Sequence, residues 1–110
     1  MIAETDIDRA LDYLRISAQD AAQARANVKY IAEFLKSKRS QLKLAQAGMS
    51  DAAAETRALA DPAYLELLDG YKAAVEADAK HQFKREAALA LIEAWRTMCS
   101  NQRAEGRAYS

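Results

Sequence analysis

The sequence is poor in the residues that interrupt helices and in those that carry most enzyme chemistry. Its 110 residues include one proline, three glycines, one cysteine and one histidine. A single cysteine excludes an intrachain disulfide and suits a reducing compartment. Because so little proline and glycine leaves no flexible linker, one domain spanning residues 1–110 is predicted.

Long apolar runs are also missing. No stretch approaches 18 consecutive apolar residues, so no membrane-spanning helix is expected. The first six residues are acidic and lack the basic and apolar regions of a secretion signal. The sequence therefore predicts a cytoplasmic protein with no membrane partner.

Large apolar side chains are scarce. Alanine accounts for 26 residues, close to half of all apolar positions, and alanine favours helix while burying little area. The formal net charge is zero, which argues against a disordered chain despite the thin core. A helical chain with so little to bury is expected to form a homo-oligomer.

What the sequence does have is an apolar repeat in its first 45 residues. Residues at every seventh position are apolar, and a second set three positions later is mostly small or apolar. The two sets are Ile7, Leu14, Ala21, Val28, Leu35, Leu42 and Ala10, Ser17, Ala24, Ile31, Lys38, Ala45. This spacing is typical of a helix that packs along its whole length. We predict a first helix capped by Thr5 or Asp6 and running to about Ala47.

Two interruptions divide the rest of the chain. Gly48 suits a position beyond a helix end, and Ser50 or Asp51 can cap a short helix over residues 52–60. Asp61 and Pro62 then suit the cap and first position of a second long helix, which is predicted to end near Ala104. Its expected apolar positions are Leu65, Leu68, Val75, Phe83, Ala87, Leu91, Ile92, Trp95 and Cys99.

Charge changes sign along the chain in four blocks. Residues 1–20 carry three net negative charges, residues 21–44 five positive, residues 45–79 five negative and residues 80–110 three positive. Opposite blocks face each other if the second long helix folds back along the first. The predicted fold class is therefore all-α, a long antiparallel helical hairpin of two long helices and a short connecting helix, assembling into a homo-oligomer.

The sequence offers little for catalysis. No pair of carboxylates in an apolar setting and no glycine-rich phosphate loop can be identified. His81 lies among Lys80, Lys84 and Arg85, where a solvated face is more plausible than a metal site or a catalytic triad. No catalytic residue, metal or cofactor is expected, and the chain is not expected to be an enzyme.

A basic run is the clearest candidate for a binding site. Four cations and no anion fall within residues 34–44, and the run consists of Lys29, Lys36, Lys38, Arg39 and Lys43. Cations at seven-residue spacing suit a phosphate backbone, with Tyr30 and Phe34 near enough to offer stacking. The alternative is that these cations neutralise four acidic residues of the second long helix: Glu66, Asp69, Glu76 and Asp78.

The segment Asn27–Arg39 resembles the central stretch of the UvsY-type phage recombination mediators. In that family an Asn-Val pair precedes an aromatic-Leu pair at the same interval and leads into a polybasic run that contains serine. Small phage proteins of UvsY-like type are similar over more of the chain, about residues 21–106. The shared stretches are of the types Glu33-Phe34, Lys36-Ser37-Lys38, Pro62-x-Tyr64-Leu65-Glu66-Leu67-Leu68, Ile92-Glu93-Ala94-Trp95-Arg96 and Asn101-x-Arg103.

The resemblance implies a helical-hairpin subunit of a ring-like homo-oligomer that binds single-stranded DNA. Such mediators help a RecA-like recombinase to replace single-strand-binding protein, in the host cytoplasm if the chain is phage-encoded. Carried over by position, Lys36, Lys38, Arg39 and Lys43 belong to the DNA surface, together with Arg57. Residues 52–60 hold only that one arginine, where UvsY is richer in cations, which implies weaker DNA affinity per subunit.

Lys29, taken from the charge pattern, completes the predicted nucleic-acid-binding set. The alternative function is a coiled-coil assembly or adaptor protein, such as a phage structural accessory or a protein inhibitor, that binds no DNA. In that case the cations serve pairing between segments of the protein.

Overall fold

The computed structural model describes the backbone of residues 1–109 and the side chains of residues 1–107. Regular structure in this range consists of three helices, α1 (Glu4–Leu44), α2 (Asp51–Ala60) and α3 (Pro62–Tyr109). The all-α prediction is thus confirmed, with helix ends that differ from those expected. α1 ends before Ala47, and α3 continues past Ala104.

The first helix and the turn after it follow local chemistry. The Asp6 carboxylate accepts a hydrogen bond from the Ala3 amide at 3.1 Å, so α1 begins before the predicted caps. At the other end the amide of Gln46 donates to the Lys43 carbonyl at 3.0 Å, which tightens the last turn and stops the helix. Gly48 then adopts a φ of +89°, a left-handed conformation that favours glycine.

Ser50 and Asp61 cap the two following helices as predicted. The Ser50 hydroxyl accepts from the Ala53 amide at 3.2 Å. The Asp61 carboxylate accepts from the Ala63 amide at 2.8 Å, and Pro62 occupies the first position of α3. These contacts satisfy amides that have no partner within their own helices.

Contacts group the chain into two compact units, residues 1–21 with 80–110 and residues 22–79. In the first unit the buried side chains are small or medium in size: Ile7, Ala10, Ser17 and Ala88. Arg85 of α3 donates from Nη1 to the Leu14 carbonyl oxygen and to the Ser17 hydroxyl of α1, both at 2.8 Å. This unit is therefore fastened by a polar contact as well as by apolar packing.

The second unit contains the end of α1, all of α2 and the start of α3. Its buried side chains are Leu35, Ala54, Ala58 and Ala74. Arg25 of α1 forms an ion pair with Asp78 of α3 at 3.7 Å. Alanines dominate this core, as the composition predicted, and they allow close approach between helices.

The predicted apolar face of α1 is confirmed. All six residues of the first set, Ile7 to Leu42 at seven-residue steps, are buried or half-buried. In the second set only Ala45 is exposed, and it lies beyond the end of α1. The heptad repeat therefore identified the packed face of this helix.

The packed face of α3 matches the prediction near the end of the helix and differs from it before residue 91. Leu65, Leu68, Val75, Phe83 and Ala87 are exposed, with Phe83 at 68%. Buried and half-buried positions instead form an unbroken series at alternating three- and four-residue steps: Tyr64, Leu67, Tyr71, Ala74, Asp78, His81, Arg85, Ala88, Ile92, Trp95 and Cys99. The four predicted positions near the end of the helix are half-buried as expected: Leu91, Ile92, Trp95 and Cys99. The prediction failed for the five earlier positions, because polar and small residues occupy the packed series in the middle of the helix.

Candidate functional site

The predicted DNA-binding residues do not share one surface. A helix turns by about 100° per residue, so Lys29, Lys36 and Lys43 lie within about 40° of one another on α1. By the same geometry Lys38 lies about 160° away from Lys36, on the other side of the helix. Arg25 and Arg39 fall beside the three aligned lysines. We call the set Arg25, Lys29, Lys36, Arg39 and Lys43 the basic stripe.

The basic stripe is long and largely accessible. From Arg25 to Lys43 it covers 18 helical steps, about 27 Å along the axis. Lys29 is exposed, and the side chain of Lys36 is 70% exposed. Lys43 is the most enclosed member, with 28% of its side chain accessible.

Nearby carboxylates engage several of these cations. Lys36 pairs with Glu33 of the same helix at 3.2 Å. The two α2 carboxylates pair across helices, Glu55 with Arg39 at 3.6 Å and Asp51 with Lys43 at 2.9 Å. Both cross-helix pairs therefore connect α2 to the end of α1.

The acidic residues of α3 are used less than the charge blocks suggested. Asp78 pairs with Arg25, which was not among the predicted site residues. Within residues 1–107, Glu66, Asp69 and Glu76 form no ion pair within 4.0 Å. Direct ion pairing with α3 therefore neutralises one cation of the basic stripe, Arg25. Lys29 remains available to bind a ligand.

Arg57 lies apart from this arrangement. It is exposed and belongs to the last turn of α2, where a cation complements the partial negative charge of a helix C-terminus. It forms no ion pair within 4.0 Å inside the described range. A local role in α2 therefore accounts for its position.

Tyr30 and Phe34 of α1 lie away from the basic stripe. Tyr30 and Phe34 stack on each other, with ring centroids 6.2 Å apart and 12° between their planes. The helical rotation places these two residues roughly 120° and 160° from Lys36. Sequence reasoning had placed them near enough to stack on a strand held by the cations, and the rotation per residue was the signal that could have corrected this.

Phe34 instead lines a groove between α1 and α3 in the 22–79 unit. The groove has a volume of about 350 Å³ and is lined by Ile31, Phe34, Lys38, Ala63, Glu66, Leu67 and Gly70. We call it the aromatic groove. Its floor is apolar, with one cation and one anion among its lining residues.

A larger open cavity of about 620 Å³ surrounds the turn between α1 and α2. Its lining includes the Lys43–Asp51 pair, Leu44 and Met49. Leu44 is 80% exposed. The cavity is therefore a recess of mixed polarity, and its two charged groups already pair with each other.

Chemistry-bearing residues elsewhere are scattered. Over the range that the structure describes, no three or more His, Cys, Asp or Glu residues are placed to hold a metal ion. His81 is half-buried on the packed face of α3, not on the solvated face that the sequence suggested. Cys99 is a half-buried free thiol, and the Tyr13 hydroxyl is buried without a hydrogen-bond partner among the described residues.

None of the described helices has a segment both long and apolar enough to span a bilayer. In comparisons with protein-family models, with curated proteins and with solved structures, nothing matches this chain. The likeness to UvsY-type mediators accordingly stays a prediction from sequence motifs.

Proposed function

We propose that this protein is a non-enzymatic, self-assembling single-stranded DNA-binding protein of the recombination-mediator type. In this role it loads a RecA-like recombinase onto DNA while single-strand-binding protein is displaced. The observation that supports DNA binding is the basic stripe, five cations on one face of α1. The mediator role is supported, in addition, by the resemblance of residues 27–39 to the UvsY type.

The stripe suits phosphates better than bases. Lys29, Lys36 and Lys43 recur about every 10 Å along the helix, and Tyr30 and Phe34 lie on other sides of α1. Binding through phosphates alone tolerates any base sequence and weakens steeply with salt. This is the behaviour that a mediator acting on arbitrary single strands requires.

The proposed subunit is an antiparallel helical hairpin. Within the 22–79 unit, Arg25 pairs with Asp78, while Lys38 shares a groove with Ala63 and Glu66. Positions on α3 thus fall as positions on α1 rise, which supports antiparallel packing in this unit. The copies are proposed to assemble into a homo-oligomer, because the cores are small and many apolar side chains are exposed.

A second candidate function is a coiled-coil assembly or adaptor protein without DNA binding. The Arg39–Glu55 and Lys43–Asp51 pairs favour it, since both cations already hold α2 in place. Exposed apolar residues such as Leu65 (46%) and Leu89 (55%) also suit a protein partner. In this case the cations of the basic stripe stabilise contacts between helices and bind no DNA.

A fluorescence-anisotropy titration with a labelled oligodeoxythymidine separates the two functions. Each phosphate contact to a single strand adds about 0.7 to the slope of log affinity against log salt. If phosphates replace the carboxylates that pair with the stripe, four or five contacts predict a slope of roughly 3. Affinity should then fall roughly 60-fold between about 50 mM and 200 mM salt. A chain that fails to bind the oligonucleotide at low salt is not a mediator, and the adaptor role would replace the proposal.

A further inference from the structure

We infer that the aromatic groove is the surface through which two copies of this chain associate about a two-fold axis. This deepens the assembly part of the proposed function, on which it rests, by naming the contact and its partner. The partner is a second copy of the same chain, and the contact lies within the 22–79 unit.

The groove region combines protruding rings with open space. Tyr30 is 67% exposed and Phe34 is 42% exposed, so two stacked rings present apolar area to solvent beside the groove. On the α3 side the groove is lined by the small residues Gly70 and Ala63, which leave space above the helix. A Cβ placed on Gly70 would meet nothing within 4 Å. The same surface therefore offers a ring to insert and a place for one.

The charges of the groove are also self-complementary. Lys38 comes from α1 and Glu66 from α3, and neither forms an ion pair within 4.0 Å inside residues 1–107. In a two-fold contact, if residue i of the first copy touches residue j of the second, then residue j of the first copy touches residue i of the second. A second copy therefore matches both charges at once, Lys38 with Glu66 and Glu66 with Lys38.

Other occupants fit less well. A nucleic-acid strand would bring phosphates against Glu66, and like charges in close contact are repelled. A peptide of one charge sign would match one of the two groups and oppose the other. A second copy supplies apolar rings and both charges in the required arrangement, so it is the occupant that the groove favours.

Two charge variants, made separately and then mixed, test this contact. Lys38→Glu alone sets two carboxylates against each other in both halves of a two-fold contact, and Glu66→Lys alone sets two ammonium groups against each other. Each should weaken association at least tenfold, as measured by sedimentation velocity without DNA. An equimolar mixture should recover wild-type association, since each copy then supplies the charge that the other lacks. Native mass spectrometry with one variant labelled with ¹⁵N should show mixed dimers in excess.

A groove-filling variant gives an independent measurement. Gly70→Leu adds a side chain where the chain itself leaves room, and leucine favours helix over glycine. Unfolding should therefore become harder, while association falls at least tenfold. Gly106→Leu is the matched control, because Gly106 is also a glycine of α3 with free space around it and lies outside the groove. It should associate like the wild type.

Several results would overturn the inference. One is a wild-type chain that stays monomeric at about 100 µM. Another is a set of variants that associate as tightly as the wild type, and a third is an equimolar mixture that fails to recover wild-type association. An assembly with an odd number of copies would also contradict it, since each copy in a two-fold contact needs its own partner. Because association is measured without DNA, a chain that dimerises but ignores oligonucleotide refutes the mediator role alone. A chain that binds oligonucleotide as a monomer refutes this contact and the proposed self-assembly, and leaves the DNA-binding part of the proposed function standing.

Discussion

At the scale of single residues, Arg85 is unusual for its position in α3. It occupies the packed face of α3, where an apolar residue would be ordinary, and bonds two oxygens of α1 at 2.8 Å. The planar guanidinium offers several donors in fixed directions, so one side chain reaches a backbone carbonyl and a hydroxyl together. Ser17, only 8% exposed, thereby has a partner for its buried oxygen. A slip of either helix would separate these groups, so the contact specifies which residues pair.

We predict energetic coupling between Arg85 and Ser17. In a double-mutant cycle with Arg85→Met and Ser17→Ala, the coupling free energy should be about 1–2 kcal/mol, because either change removes the same charge-assisted hydrogen bond. Urea unfolding followed by circular dichroism, at one protein concentration, measures it. Arg15→Met serves as the control. Its partner Asp12 and its own side chain are mostly exposed, so its cost should stay below about 0.5 kcal/mol. Additive effects of the Arg85 and Ser17 changes would show that the bond does not couple the helices.

At the scale of elements, α1 was predictable because its packed face keeps one chemical character. Apolar residues recur on it at seven-residue steps: Ile7, Leu14, Ala21, Val28, Leu35 and Leu42. Small residues such as Ala10 and Ser17 lie on the same face and are buried with them. The caps were predictable for a similar reason, since Ser50 and Asp61 act on amides two or three residues away. Such signals depend on local sequence and require no knowledge of the partner helix.

The face of α3 could not be read in the same way. Asp78, His81 and Arg85 hold the middle of its packed series, and two of them are satisfied by groups on α1. A pattern search that follows large apolar residues is then drawn to Leu65, Leu68 and Phe83, which are exposed. The observed series is still regular in its three- and four-residue steps. Its polar members could not be recognised from sequence, because their partners Arg25 and Ser17 lie on another helix.

Neighbouring alanines in α3 test this assignment directly. Ala88 is 9% exposed, whereas Ala87, which the sequence placed on the packed face, is exposed. Ala88→Asp should lower the free energy of unfolding by about 3 kcal/mol, because it either buries an unpaired carboxylate or draws Arg85 away from Leu14 and Ser17. Ala87→Asp should cost below about 1 kcal/mol, the difference in helix propensity. Thermal and urea unfolding of the two variants should rank them in this order, and the reverse order would restore the face predicted from sequence.

At the scale of the whole molecule, counting charges found the cations but not their arrangement. The basic block of residues 21–44 was evident from sequence, yet its members fall on different sides of α1, with Lys38 in the aromatic groove. The groove itself could not be predicted, because it forms only where residues 31–38 and 63–70 meet. The ion pairs that α2 forms with α1 were likewise not predicted, because the charge blocks of only the two long helices were compared.

The arrangement of charge predicts that cation position, not cation number, determines DNA binding. Lys29→Gln with Lys36→Gln removes two members of the basic stripe. Lys72→Gln with Lys84→Gln removes two exposed lysines of α3 that form no ion pair within 4.0 Å inside the described range. Both double variants change the net charge equally and exchange residues of similar helix propensity, so folding and long-range attraction are matched.

The stripe variant should lose about 1.4 from the salt slope, corresponding to two phosphate contacts at about 0.7 each. Its affinity for oligodeoxythymidine at low salt should fall at least tenfold, whereas the α3 variant should keep the wild-type slope and bind within about threefold of it. Anisotropy titrations at four salt concentrations measure both quantities, and circular dichroism verifies the helix content. If the two variants weaken binding equally, the protein attracts DNA only through its overall field, and the stripe is not the binding surface.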